Sequence, residues 1–254
     1  MIFYFSATGN TKYVAQRLAS DTKEEMISVI DCVKNGRYRF PVKPGESIGI
    51  LSPTYNFGFP LTVNEFLERA EFSAENKPYV YFAATFGTTP GYTGSLARNF
   101  LIVKGFAPDA FFSVKMPDSW TPMFDLSDKA KMNKINLKAD TQIDDMIRKI
   151  RARTRGDFMK RKVPRFAYSI FYRDYAKSRT TDHFHVEDSC TGCGLCAIKC
   201  PVNAIEIVNG KPVWVADQCL ACLGCLHRCP TFSIQYGENT KRHGQYLHPE
   251  MKNC

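Results

Sequence analysis

The sequence predicts an α/β chain, a doubly wound five-stranded parallel sheet followed by a small α+β domain built around cysteines. Three observations predict it. Short apolar runs of strand formers alternate with helical patterns over the first part of the chain. The first run leads into Ser6-Ala7-Thr8-Gly9-Asn10-Thr11, rich in hydroxyl, amide and glycine, ahead of a helical pattern. Near the other end, Cys190 to Pro201 reads CTGCGLCAIKCP and Cys219 to Pro230 reads CLACLGCLHRCP, the same C-x2-C-x2-C-x3-C-P run twice.

The strands expected are Met1–Phe5, Met26–Asp31, Ser47–Leu51, Pro78–Ala84 and Ala110–Val114, with helices near 62–71, 93–104 and 140–153. After the first strand, Val14, Ala15 and Leu18 share one helical face. A strand that ends in such a loop before a helix is a phosphate cradle. The helix N-terminus offers free N–H groups and a positive dipole end, the hydroxyls add donors, and Gly9 permits the turn. The loop lacks the lysine of a P-loop and does not read G-x-G-x-x-G, which disfavours ATP and NAD.

Two further loops follow strands at the same sheet edge. Ser52-Pro53-Thr54-Tyr55-Asn56-Phe57-Gly58-Phe59-Pro60 comes after the third strand, and Thr85-Phe86-Gly87-Thr88-Thr89-Pro90-Gly91-Tyr92 after the fourth. Both combine glycine with aromatics, which suits a flat heteroaromatic ring: faces to stack on and bare backbone for its polar edge. Ser6, Thr8, Gly9 and Thr11 also match the S/T-x-T-G-x-T pattern, and the first domain resembles flavodoxins, doubly wound sheets that bind FMN at the carboxyl ends of their strands. The resemblance implies FMN held by Ser6 to Thr11, by Pro53, Thr54, Tyr55, Asn56, Phe57 and Gly58, and by Thr85, Phe86, Gly87, Gly91 and Tyr92. Tyr55 or Phe57 and Phe86 or Tyr92 then flank the ring, and the choice within each pair stays open. No histidine, carboxylate or cysteine stands in these loops, so no acid–base constellation is expected at the flavin.

Between Lys115 and Leu137 the pattern loosens. Met116 to Phe124, with two prolines and Trp120, reads equally as a plug of the core or as a loop between flavin and clusters. Asp140 to Arg155 is expected as the last helix of the first domain, with Ile143, Met146, Ile147 and Ile150 as its core stripe. Arg148 to Arg179 is strongly basic and interleaved with Phe166, Tyr168, Phe171, Tyr172 and Tyr175. It reads as a connector with one buried face, or as a docking patch for an acidic partner. His183 and His185 are expected as exposed linker residues, with His227 close to a cluster. Cys32 and Cys254 read as free thiols, and the tail from Asn239 as frayed.

Three cysteines on one tight loop can grip three irons of a cubane, leaving the fourth iron to a remote thiolate. Zinc sites take two-plus-two spacing instead. Cysteines at metal spacing, with no signal peptide expected, point to a reducing compartment. The runs resemble those of two-cluster ferredoxins. That resemblance implies one [4Fe-4S] cluster on Cys190, Cys193, Cys196 and Cys229 and another on Cys219, Cys222, Cys225 and Cys200. Ala204–Val208 and Ser233–Tyr236 are the strands expected after each run.

Over its whole length the chain resembles fused flavodoxin–ferredoxin proteins of anaerobic bacteria. The division expected is 1–155 for the FMN domain, 156–182 for a basic connector, 183–240 for the two-cluster domain and 241–254 for a tail. The resemblance implies electron transfer between two [4Fe-4S] clusters and an FMN, converting one- to two-electron steps, with a redox protein as donor or acceptor. A flavin-dependent reductase of a quinone, nitro compound or similar small molecule is the alternative. The formal charge of +9 shrinks to about +3 once the bound anions are counted. It is therefore poor support for nucleic acid. No apolar run approaches the ~20 residues of a membrane span, and a cytoplasmic location is expected. A rearrangement or a homodimer is expected if one chain leaves flavin and clusters too far apart.

Overall fold

A computed structural model describes residues 1–251, so Cys254 lies outside the described residues. In chain order the first unit runs β1 (Ile2–Tyr4), α1 (Asn10–Thr22), β2 (Met26–Ser28), α2 (Val29–Lys34), β3 (Arg39–Val42), β4 (Ser47–Pro53) and α3 (Leu61–Arg69). It continues through β5 (Glu71–Ala74), β6 (Tyr79–Phe86), α4 (Thr93–Ile102), β7 (Ala110–Lys115), α5 (Lys129–Arg151) and β8 (Gly156–Asp157). The main sheet is parallel throughout, in the order β2-β1-β4-β6-β7-β8. The order reverses at β1, and the loops after β1, β4 and β6 open at the carboxyl edge there, where such sheets bind ligands.

Strand periodicity builds the two faces. Phe3, Ile48, Ile50, Val80, Phe82 and Phe111 point to one side, against Val63, Phe66 and Leu67 of α3 and Ala97 and Leu101 of α4. Ile2, Leu51, Tyr79, Tyr81, Ala83, Phe112 and Val114 point to the other, against Val14, Ala15 and Leu18 of α1 and Ile143, Met146, Ile147 and Ile150 of α5. Both faces of the central strands are therefore buried, as a parallel sheet requires.

Boundaries differ from the sequence reading for local reasons. The second strand stops at Ser28, whose hydroxyl accepts from Asp31 N–H (3.2 Å) and caps α2. Helix α5 starts at Lys129, well before Asp140, because Asp128 caps it by accepting from Lys131 N–H (2.9 Å). Its first three turns are mostly polar and bury little beyond Met132 and Ala139, so the apolar stripe conceals its start. Strand β8 adds a sixth member to the sheet beyond residue 155. Strands β3 and β5 form a separate parallel pair.

The connector folds into α6 (Arg165–Ser178). The cysteine-rich unit follows: β9 (Phe184–Val186), α7 (Leu195–Ile198), β10 (Ile205–Val208), β11 (Lys211–Trp214), α8 (Gly224–Arg228), β12 (Ile234–Tyr236) and α9 (Thr240–His243). Strands β10 and β11 pair antiparallel, as do β12 and β9. Phe184 stacks on Trp214 (centroids 4.6 Å apart) between the two pairs. No helix of the described residues is long and apolar enough to cross a membrane.

The tail is not frayed over the residues described. Tyr246 is 5% and His248 3% exposed. Tyr246 O–H donates to Asn10 Oδ1 (2.9 Å) and Asn136 Oδ1 (3.1 Å), and His248 N–H donates to Thr8 O (2.9 Å). Gln245 reaches back instead to the other domain: its Nε2 donates to Leu226 O (2.7 Å) and Cys229 O (2.8 Å). The segment straps the cysteine-rich unit to the loop after β1. Polar composition suggested disorder, but Gln245, Tyr246 and the backbone of His248 each find specific partners.

Candidate redox site

The loop after β1 is built to hold an anion. Gly9 adopts φ 93°, which L side chains rarely tolerate, and turns the chain into α1. The N–H groups of the first turn of α1 then lack helical acceptors. Ser6 Oγ is buried with no hydrogen-bond partner in the protein, which a bound anion would satisfy. The remaining side chains fix the loop. Thr11 and Thr85 hydroxyls meet at 2.7 Å, Asn10 Nδ2 donates to Pro117 O (3.1 Å), and Thr8 Oγ1 donates to Ser119 Oγ (3.4 Å).

Beside this loop lies a cavity of about 590 Å³. Its wall takes in Ser6, Ala7, Thr8, Asn10 and Thr11, then Pro53 to Phe57, then Thr85 to Thr89. These are the three loops that the sequence brings to one sheet edge. The cavity size, its mixed aromatic and backbone lining, and the orphaned Ser6 hydroxyl at one end fit FMN with its phosphate in the loop.

Four of the expected flavin residues do not line the cavity: Gly9, which forms the turn into α1, and Tyr92, Gly58 and Gly91. Tyr92 turns away to stack on Tyr168 of α6 (5.3 Å, 21°). Gly58 lies under Tyr168 and Tyr172, and a side chain on Gly91 would strike the backbone of Phe57. Those glycines serve loop packing, and the competing helix was not legible as a neighbour. Tyr55, Phe57 and Phe86 remain on the wall.

The sequence reading missed one wall and left a second open between two alternatives. Helix α6 places Phe171, Asp174, Tyr175 and Ser178 on the cavity, and the loop after β7 places Met116 to Trp120, Met123 and Phe124 there. Tyr168, Tyr172 and Tyr175 repeat at helical spacing and seat the helix. Tyr172 O–H donates to Phe59 O (2.7 Å), and Tyr175 O–H donates to Leu220 O (2.8 Å), so α6 touches both domains. Trp120 lines the cavity and packs edge-on against Tyr236, so its loop lies between the two domains.

A carboxyl group therefore does stand at the cavity, contrary to the sequence expectation. Asp118 accepts from Thr88 O–H (3.2 Å) and Trp120 N–H (3.2 Å). Burial pushes its pKa up, against the pull of those two donors and of Lys115. It comes from a loop distant in sequence, which is why inspecting the two aromatic loops alone did not find it.

The eight cysteines of the runs fall into two sets. Cys190, Cys193, Cys196 and Cys229 line one small cavity with Gly192, Gly194, Ile207 and Pro212. Cys219, Cys222, Cys225 and Cys200 lie close enough to perturb one another electrostatically. Each set draws three thiols from one run and one from the other, a composition that would suit a cubane apiece. Burial pushes the Cys222 thiol up to about 12 and the Cys225 thiol well up, so as free thiols both hold their protons, which a bound metal would have to displace. Cys219 Sγ accepts from Ala221 N–H (3.2 Å), Cys200 Sγ from Ala204 N–H (3.3 Å) and Cys229 Sγ from Ser233 N–H (3.3 Å). Such bonds favour thiolate over thiol.

The two sets differ in depth. Cys193 is exposed, whereas Cys200 and Cys219 are buried and Cys222, with Ala221, reaches the wall of the flavin cavity. We call the set containing Cys222 the near set. His227, between Cys225 and Cys229 in the second run, is 3% exposed and accepts from Tyr246 N–H at Nδ1 (3.1 Å), which leaves Nε2–H to donate to Ser119 O (2.8 Å). His183 and His185 are exposed, as the sequence suggests, and Cys32 is a buried thiol whose pKa burial raises.

Comparison with known proteins agrees with this division. The flavodoxin domain model matches residues 1–145 and the 4Fe-4S dicluster domain model residues 183–230. Among solved structures, the rubredoxin oxygen:oxidoreductase of the anaerobe Desulfovibrio gigas is similar at 18% identity and TM-score 0.35 over 60% of this chain, which spans 36% of that one. A flavone reductase is similar at 12% identity and TM-score 0.38, over 87% of this chain and 86% of that one. No curated protein matches. Flavodoxin domains imply FMN, dicluster domains with eight cysteines imply two 4Fe-4S clusters, and the pair implies electron transfer. The chain belongs to the flavodoxin-domain family, with a 4Fe-4S dicluster domain carried behind the flavodoxin domain in the same polypeptide.

Proposed function

We propose that the protein relays electrons between a partner redox protein and FMN through two [4Fe-4S] clusters, one held by each cysteine set. When bound, each cluster supplies one electron at a time and FMN one or two, so the chain can join one- to two-electron chemistry. The observation that carries this reading is the placement of Cys222 and Tyr55 on the wall of one cavity. With both donor sets in one chain, no partner copy is needed to bring them together.

The residues divide the work. Ser6 to Thr11 would hold the phosphate, Tyr55, Phe57 and Phe86 the ring, and α6 with Trp120 covers the cavity from water. Electrons would enter or leave through the outer set, where Cys193 meets solvent. Around α6, Arg165 and Arg173 stand with exposed Phe166 and Ile170, a surface suited to an acidic redox protein.

The test is anaerobic purification with cofactor analysis and a redox titration. One FMN with two cubane clusters, and flavin reduced when a low-potential ferredoxin is supplied, is the result expected. Zinc in place of iron, or a cavity that does not take FMN, overturns the reading.

Asp118 favours a second reading, reduction of a small molecule at the flavin. Its buried carboxyl could hold or deliver a proton at the cavity. Saturable turnover of a quinone or nitro compound that falls at least tenfold in D118N would support it. Turnover unaffected by D118N would remove its basis.

A further inference from the structure

Arg228 precedes Cys229 and stands where the two domains meet. Its Nη1 donates to Gly224 O (3.4 Å), and no carboxylate among the described residues forms an ion pair with it. The ionisable groups that act on it most are Cys222, Tyr55 and Cys225. A methyl group built on Gly224 would fall 2.8 Å from Arg228 Nη1 and 3.6 Å from both Cys222 Sγ and Ala7 O. Guanidinium, near-set sulfur and phosphate-loop carbonyl are thus gathered round one point. The first cysteine run has Lys199 at the equivalent place, before Cys200, and that side chain is exposed.

A cation withdrawn from water without a carboxylate needs another source of negative charge. The near thiolates are the source the structure offers. A centre held by four thiolates gains a further negative charge on reduction, and a nearby cation favours that form, most strongly where water does not screen it. Lys199, in solvent, is screened.

We propose that Arg228 sets the order of the two potentials: it holds the centre on Cys200, Cys219, Cys222 and Cys225 above the one on Cys190, Cys193, Cys196 and Cys229. A single electron on the pair then rests beside the flavin cavity rather than at the solvent-facing end. This inference rests on the two-cluster reading above.

The test compares wild type with R228Q, R228K, G224A and K199Q, each purified anaerobically and assayed for iron, sulfide and FMN before voltammetry and EPR-monitored titration. R228Q is expected to lower the higher of the two cluster midpoints by at least tenfold in its reduction equilibrium, about 59 mV for one electron, and to move the lower one by less than about twofold. R228K keeps the wild-type split, and K199Q moves neither midpoint by more than about twofold. In G224A the new methyl group displaces the guanidinium without removing its charge, so the same midpoint falls. That variant carries the test if R228Q does not load iron. Fully loaded R228Q or G224A with both midpoints unmoved overturns the proposal, as does R228K falling as far as R228Q. Wild-type protein with FMN but fewer than two clusters overturns the two-cluster reading itself, and this proposal with it.

Discussion

Tyr55, on the loop after β4, and Cys222, on the second cysteine run, line the same cavity although one belongs to each domain. Tyr55 is held edge-on between Phe5 (6.2 Å) and Tyr175 (6.0 Å), so its ring is a fixed partition rather than a mobile flap. Replacing it with alanine removes both a ring wall and the packing of the junction. Y55A is expected to weaken FMN binding at least tenfold, measured by anaerobic fluorescence titration, and Y55F to stay within about threefold because the ring remains.

The tail is expected to matter to the flavin although it never lines the cavity. Y246F deletes the O–H that donates to Asn10 and Asn136. Losing a buried hydrogen bond costs about 1–2 kcal/mol. Part of that should appear as a several-fold weaker FMN affinity, since Asn10 opens α1. Titration of Y246F and wild type side by side checks it.

His248 gives the strap a pH dependence. It stacks on Tyr13 (3.9 Å), and neither ring nitrogen has a partner. Burial lowers its pKa from 6.5 to about 4, only partly offset by Asp140. A depressed folded pKa means that the released tail binds the proton more readily. Docking is therefore full above pH 6.5, weakens as pH falls toward about 4, and loses no more from this group below that. Hydrogen exchange at residues 8–13, corrected for intrinsic rate, should rise over that interval in wild type and stay flat in H248F.

Oxygen should damage the clusters in a set order. Cys193 is exposed while Cys200 and Cys219 are buried. On brief exposure to air, the EPR signal of the outer cluster is expected to decay several-fold faster than that of the near one, with FMN retained.

Charge reversal tests the docking face. Arg165→Glu with Arg173→Glu is expected to slow electron transfer from an acidic ferredoxin at least tenfold at low ionic strength. The difference should narrow as salt rises, because exposed charges are screened over about 10 Å at 0.1 M. Stopped-flow rates at several salt concentrations measure it.

The sheet and the two cysteine runs were legible because their information is local. Strand periodicity shows in Phe3 against Ile2 and in Phe82 against Tyr81, and the cysteine spacing lies within a dozen residues. The roof and the strap were not legible, because they depend on contacts across the chain. Tyr175 meets Leu220 and Tyr246 meets Asn10, 236 residues away. The basic stretch shows an aromatic face to bury but not what it is buried against, and the polar tail shows no such face at all. Asp118 escaped for the same reason, since its loop shows two prolines and a tryptophan but not which cavity it faces. Tyr92 failed in the opposite direction. Its glycine-and-aromatic setting suited a flavin, but Tyr168 took the ring first.

The strap also orders biogenesis. Gln245 to His248 follow both cysteine runs in the chain, yet they brace the loop after β1 and rest on carbonyls of the second run. On the ribosome, the cleft made first stays without its brace until the last of these segments has emerged and the second cysteine run, whose carbonyls hold Gln245, has folded.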